Sequence, residues 1–344
     1  MRIAFKQNSS VTAAELTAVA AGLGLDVVGA ADVAPYEATE RHIRERKARG
    51  LFAEMRFTTA RPEVSCHPET LLPGARTVIS AALCYYRPSP EQPRGTGRLP
   101  RYAWRNHYAA LREKLDALGR SLGGSYRVLV DENDHVDREA AARAGVGFYG
   151  KNTMLITRRY GSWVVLGTLV TDVEVEPTPP LATDCGECRL CVDACPTDAL
   201  AEVGVLDAER CLSYWTQSPR PIPEGYRRAL GDSVYGCDIC QDVCPWNRGV
   251  EKRRQSAEPA DVGEPYVSLV DWLEAEAEDL RTRYERLYFP RKDVRYLRRN
   301  AIVAAGNVGG DAERAVVERY ASGDDDFLRE HAVTALAAIA ERQP

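Results

Sequence analysis

Two cysteine runs constrain this chain more than anything else in it. The first reads CGECRLCVDACP at 185–196, spaced Cys185-x₂-Cys188-x₂-Cys191-x₃-Cys195 and closed by Pro196. The second lies in YGCDICQDVCPWN at 235–247, spaced Cys237-x₂-Cys240-x₃-Cys244 and closed by Pro245, with Cys211 between the two runs. Three closely spaced thiolates followed by a Cys-Pro are the pattern that wraps a [4Fe–4S] cluster. Where two such runs share a fold, the fourth cysteine of a run crosses to the other cluster. The spacing therefore assigns Cys185, Cys188, Cys191 and Cys244 to one cluster and Cys195, Cys211, Cys237 and Cys240 to the other. The competing reading is a pair of Cys₄ zinc sites, because x₂ spacings also serve zinc.

Most of the 344 residues lie outside this module, so the chain must do more than carry electrons. A length of this order predicts two or three domains with material for a full core. With 44% hydrophobic and 28% charged residues, the composition argues against wholesale disorder. No apolar run reaches the roughly 18–20 residues a membrane-spanning helix needs. The N-terminal MRIAFKQNSSVTAAEL lacks the apolar stretch and cleavage site of an export signal. The expectation is a cytoplasmic protein without a membrane partner, in which ten cysteines mean metal or catalysis rather than disulfides. Cys84, inside the apolar run VISAALCYY, reads as a small core residue, and Cys66 beside His67 as structural or incidental.

Helical and strand-like patterns alternate through the first half, which predicts an α/β domain. SVTAAELTAVAAG (10–22) opens on a cap, LDVVGAA (25–31), TVISAALCYY (77–86) and YRVLVD (126–131) read as strands, and NHYAALREKLDALGRSL and DREAAARAG as helices. MLITRRYGSWVVLGTLVTD (154–172) reads as a hairpin turning at Gly161 and Ser162. Asp134, three residues before Asp137, is the expected cap of the DREAAARAG helix. Proline-rich EVEPTPPLATD (174–184) is a hinge, and charged NRGVEKRRQSAEPADVGEP after Cys244 is a second linker. Three units follow: an α/β domain over 1–178, a two-cluster ferredoxin-like module over 179–250 and a helical tail over 251–344.

That tail repeats. YLRRNAIVAAGNVGG (296–310) and FLREHAVTALAAIAE (327–341) align at a spacing of 31 residues, matching Leu297, Ala301, Ala304 and Ala305 to Leu328, Ala332, Ala335 and Leu336. The i, i+4, i+7, i+8 pattern is that of a short HEAT-like solenoid. Just before it, RTRYERLYFPRKDVRYLRRN (281–300) concentrates eight basic residues opposed within the stretch by only Glu285 and Asp293. Such a stripe either tracks a phosphate backbone, in which case Arg291, Lys292, Arg295, Arg298 and Arg299 are the RNA-contact candidates, or is a solvated helix face. Dinucleotide chemistry is not indicated: AGVGFYG (144–150) follows a helix rather than a strand. The cobalamin motif D-x-H-x-x-G is also missing from VDENDHVD.

The joint pattern of RYAW (101–104), VD (130–131), AGVGFYGKNTMLI (144–156), the eight cysteines, RCLSYWTQ (210–217) and YGCDICQDVCPWN resembles the epoxyqueuosine reductases over nearly the whole chain. The resemblance implies a cobalamin domain of nitroreductase-like topology, two [4Fe–4S] clusters feeding the cobalt, and a HEAT-like tail that holds tRNA. The implied reaction is the two-electron removal of the epoxide oxygen of epoxyqueuosine at the wobble position. It implies Asp131 as the proton donor, with the ordinary strand-end carboxylate as the alternative. Arg101, Tyr102, Asp131, Gly150, Lys151, Asn152, Ser213, Tyr214 and Trp215 would line the cobalamin; for the last three, packing around Cys211 is the alternative. An external single-electron donor of flavodoxin or ferredoxin type and a monomeric state complete the expectation. The chain departs from the family pattern at His107-Tyr108-Ala109, Glu132 and Gly231-Asp232. Other functions in play are a cobalamin-dependent reductase of another small molecule or nucleoside, and an iron–sulfur electron-transfer protein.

Overall fold

The computed structural model describes residues 10–131, 133–254 and 263–342. The first nine residues, Glu132 and the middle of the charged linker (255–262) lie outside the described residues. The core of the first half is an antiparallel sheet of β1 (Val27–Ala31), β2 (Thr77–Cys84), β7 (Val164–Thr171) and β4 (Tyr126–Val130), in the order β1-β2-β7-β4. Helices α1 (Ala13–Gly22), α2 (His107–Leu122) and α3 (Asp137–Arg143) pack on it. Gly167 of β7 lies under Leu111 and Leu115 of α2, whereas the next residue, Thr168, reaches Asp137 of α3. Successive side chains on a strand point to opposite faces, so α2 and α3 cover opposite faces of the sheet. Burial on both sides explains why β2 and β7 read as continuous apolar runs rather than alternating ones.

α1 carries the expected cap, with Thr12 and Glu15 closing a reciprocal capping box. Two local expectations are corrected. The long hairpin over 154–172 does not form. β6 (Leu155–Ile156) pairs back onto β5 (Phe148–Tyr149), and Gly161 (φ +56) closes only a short turn through a Thr157–Gly161 bridge. β7 then enters the central sheet, where two full-length partners outcompete one two-residue neighbour. Asp134 does not cap α3 either. The cap position is Val136, without a side-chain bond, and Asp134 is drawn off by an ion pair with Arg61 at 2.5 Å.

The second core belongs to the C-terminal helices, yet it recruits Leu99, Ala103 and Trp104 from the first half. β3 (Thr96–Arg98) pairs with β8 (Tyr266–Ser268), fastening the first half of the chain to its C-terminal part. α6 (Arg295–Val308), α7 (Asp311–Ala321) and α8 (Asp326–Arg342) follow, joined by short loops that force neighbouring helices antiparallel. The repeat is visible in the packing: α6 and α8 lie against each other. Leu297, Ala301, Ala304, Ala305, Leu328, Ala332 and Ala335 are buried between the helices. Alanines at these positions let the two backbones approach closely, and a Cβ added to Gly306 would meet Ala335 at 2.9 Å.

The cysteine module and the cleft beside it

The cysteines sort into two groups by mutual electrostatic influence. Cys185, Cys188, Cys191 and Cys244 act on one another, and Cys195, Cys211, Cys237 and Cys240 form the second set, with one cross-term from Cys191 to Cys240. The spacing expects the same two sets to ligate two clusters. Burial pushes the thiols of Cys191, Cys211, Cys240 and Cys244 up and that of Cys237 up to about 12. Thiols held so high stay protonated unless a metal centre takes the thiolate. Cys66 and Cys84 belong to neither set; both are buried in the first half among apolar side chains.

The module is bolted to the sheet domain by buried polar contacts. Gln241, on α5 (Ile239–Asp242) between Cys240 and Cys244, accepts from Tyr85 Oη at 3.1 Å and from Ser162 Oγ at 3.0 Å. Asn247 donates to the Gln241 carbonyl at 2.7 Å and to Ser162 Oγ at 3.1 Å, and its Oδ1 accepts from Ser162 N. Gly161 is required here, since a Cβ would lie 1.9 Å from Asn247 Oδ1. Lys151 and Asn152 join the same seam: Lys151 Nζ donates to the Gly186 carbonyl at 2.6 Å, and Asn152 Nδ2 reaches the Cys240 carbonyl at 3.4 Å. Gly150 precedes them in a spot where a Cβ would collide with Ile156 and Asn152.

Tyrosines gather where the sheet domain meets the module. Tyr102 hydrogen-bonds Tyr235; Tyr108 feels Asp131, Asp137, Arg138 and Tyr235; and burial raises all three phenols strongly. Tyr149, on β5, keeps 43% of its surface open. Asp131 stands at the end of β4 with a left-handed backbone (φ +62) and an exposed side chain. Asp238 beside Cys237 is raised to about 6, chiefly by burial.

The other predicted residues have partners of their own. Arg101 pairs with Asp242 at 2.7 Å and lies over the Trp163 ring at 4.8 Å, and its backbone N–H donates to Asp238 at 2.8 Å. Tyr214 and Trp215, on α4 (Leu212–Gln217), spend their polar atoms inside the module: Arg220 donates to Tyr214 Oη at 3.0 Å, and Trp215 Nε1 donates to the Glu209 carbonyl at 2.8 Å. Ser213 accepts from Gln217. Sequence reasoning did not single out Tyr108 or the Tyr102–Tyr235 contact at this seam. Tyr235 lies inside the motif at 235–247, and Tyr108 lies four residues past the one at 101–104.

The basic stripe is corrected in part. Arg299 is fully buried, donating to the carbonyls of Trp215 (2.9 Å), Ser218 (2.8 Å) and Arg220 (2.6 Å), so it is not an RNA-contact residue. Tyr284 and Phe289 are core residues as well. Acids neutralise much of the rest: from outside the stripe Glu264 takes Arg283 and Arg286, Glu278 takes Arg281 and Asp325 takes Arg295, and Asp293 within it also pairs with Arg295. Arg298 donates to the Ala275 carbonyl at 2.8 Å. Arg291 and Lys292 remain exposed on a left-handed corner (φ 55 and 52). Among the described residues no helix is long and apolar enough to cross a membrane.

A cysteine module spaced for two clusters and clamped to an α/β sheet domain has the make-up of an oxidoreductase. Residues 184–247 match the 4Fe-4S double cluster binding domain, and residues 66–132 match the model described as epoxyqueuosine reductase QueG, DUF1730. An epoxyqueuosine reductase of Lactococcus garvieae is 31% identical over 331 residues, covering 93% of each chain. The chain belongs to the epoxyqueuosine reductase family. Its fold superposes with a TM-score of 0.85 on an epoxyqueuosine reductase crystallised with a tRNA-Tyr epoxyqueuosine-modified stem loop, at 29% identity over 95% of this chain and 89% of that one. A Bacillus subtilis epoxyqueuosine reductase whose catalytic aspartate loop is swung out of the active site matches at 0.84, with 29% identity over 95% and 90%.

Proposed function

We propose that this chain reduces epoxyqueuosine to queuosine at the wobble position of tRNA, in the cytoplasm and as a monomer, with electrons taken singly from a flavodoxin- or ferredoxin-type donor. The observation that carries the reading is the joining of the cysteine module, through the Gln241–Ser162–Asn247 seam, to the sheet domain whose strand β4 ends at Asp131. When bound, two [4Fe–4S] clusters and cobalamin would supply low-potential electrons and a metal centre. Tyr102, Tyr108 and Tyr235 would offer aromatic faces to a large macrocycle, with Gly150 allowing close backbone approach. The cysteine sets are the cluster ligands in the crossed pairing.

In the overall reaction two electrons and two protons enter, both epoxide C–O bonds break, a C=C bond forms and the oxygen leaves as water. Asp131 gives a proton to the departing oxygen, and a substrate or cofactor that closes over it would desolvate the carboxyl and favour its protonated form. The two-faced antiparallel sheet supports a nitroreductase-like cobalamin domain over 1–178, and the α6–α8 packing supports a HEAT-like tail over 251–344. Arg291, Lys292 and Arg295 are the exposed basic residues that would meet RNA phosphate, with Arg298 close by. In a bacterial strain that makes epoxyqueuosine but lacks its own reductase, expression of this chain should convert the tRNA nucleoside to queuosine. Asp131→Asn should not. Persistence of the epoxide with the wild-type chain expressed and its clusters filled would contradict the proposal.

A further inference from the structure

The turn that presents Asp131 is held from behind by a residue the reaction scheme has not used. Asp137 opens α3, and its Oδ1 accepts from Thr168 Oγ1 at 2.7 Å on the rigid central strand β7. Its Oδ2 accepts from Asn133 Nδ2 at 3.2 Å. The same amide nitrogen donates to the main-chain oxygen of Asp131 at 3.1 Å, while Asn133 Oδ1 accepts from the His135 N–H at 2.7 Å. Asn133 is therefore a clasp. One end is fixed through Asp137 to the sheet, and the other fixes the backbone at Asp131, a non-glycine residue in the left-handed region (φ +62). Such a conformation persists only where its surroundings over-determine it. The far side of the turn is tied down by Val136 N donating to the Ser65 carbonyl at 3.3 Å and by the Arg61–Asp134 pair.

Asp131 also bears on Asp137 by charge. Burial raises the Asp137 carboxyl to about 6, against the opposing effects of Thr168, Asn133 and Arg138, and Asp131 adds a further upward push. The other ionisable groups facing the two carboxylates are Tyr108 from α2, Tyr36 behind α3 and Tyr235 from the cysteine module. All three phenols are raised and hence neutral at physiological pH. Arg138 is the one cation among these groups.

We propose that Asp137 is the positioning residue of the acid site: through Asn133 it holds the turn that presents Asp131. The inference rests on reading Asp131 as the proton donor. The charge of Asp131 pushes the Asp137 carboxyl up, so removing that charge should make Asp137 more acidic.

Asp137→Asn keeps an oxygen for Thr168 and removes the charge. Its amide nitrogen would face Asn133 Nδ2, so the clasp opens and kcat should fall about tenfold, with KM for the tRNA unchanged. Asn133→Ala opens the same clasp from its other end, and kcat should fall about tenfold or more. An independent readout is the ¹³C-carboxyl titration of aspartate-labelled protein with oxidised clusters, the two resonances being assigned by their loss in D131N and D137N. The Asp137 midpoint should fall in D131N. An Asp137 midpoint unmoved by D131N, or a wild-type kcat in N133A or D137N, would overturn the proposal. Full activity in D131N would instead remove the proton-donor reading, while the carboxyl titration would still report whether the pair is coupled.

Discussion

His331 makes the C-terminal unit acid-sensitive, and the size of the effect follows from its surroundings. The imidazole is fully buried on α8; its Nε2 accepts from Ile222 N at 3.2 Å and its Nδ1–H donates to the Phe327 carbonyl at 2.7 Å. A second proton would set an N–H against the N–H of Ile222 and place a cation near Arg227 and Arg299. Burial first, then these two arginines, lower its pKa from 6.5 to about 4. Because the folded value is the lower one, the unfolded chain binds the proton first as pH falls. The stability contributed by neutral His331 is complete above about 6.5 and is lost progressively down to about 4. At about 1.4 kcal/mol per unit, lowering the pH from about 7 to about 5 removes about 2 kcal/mol through this one group. His107 and His135 are lowered similarly, and Asp137 and Asp238 are raised, so the wild-type pH dependence mixes several groups. The test is therefore a difference of differences. Urea unfolding of the helical transition is followed by circular dichroism at both pH values for wild type and His331→Gln, whose amide oxygen can still accept from Ile222. The variant should lose about 2 kcal/mol less than wild type between the two pH values. Parallel losses would refute the argument.

The crossed cluster assignment predicts that Cys188→Ser and Cys244→Ser alter one electron-paramagnetic-resonance signal and Cys195→Ser and Cys237→Ser the other; a shared effect of Cys244→Ser and Cys237→Ser would contradict it. Replacing both Arg291 and Lys292 by alanine should flatten the log–log salt dependence of tRNA affinity by about 1–2. Arg299→Met should lower thermal stability without changing that slope. Gly29→Ala would put a Cβ 1.9 Å from the Ala144 carbonyl oxygen, so the strand must shift, at about 1–3 kcal/mol by thermal melting.

The parts legible in the sequence are those where local spacing sets the outcome. The capped first helix, the doubly buried β2 and the mutual packing of the two repeated helices reappear in the fold. What stayed illegible depends on distant partners. Arg299 looks like its exposed neighbours in RYLRRN, and only the carbonyls of residues 215–220 turn it inward. The stripe looked unopposed because Glu264, Glu278 and Asp325 lie outside it in sequence. The hairpin over 154–172 failed because β2 and β4 offered β7 longer pairings than β6 could. Asp137 was assigned to a helix start, and nothing local indicates that Thr168 and Asn133 would hold it beneath Asp131.

The central claim is that electrons passing through the cysteine module remove one oxygen from epoxyqueuosine. It is tested most directly by anaerobic turnover of epoxyqueuosine-containing tRNA by the cluster-reconstituted protein, with and without cobalamin and with a strong reductant. The digested nucleosides are read by mass. The account predicts loss of one oxygen, for two electrons consumed, only when cobalamin is present. Equal conversion without cobalamin, or none by protein carrying both clusters and cobalamin, would contradict it.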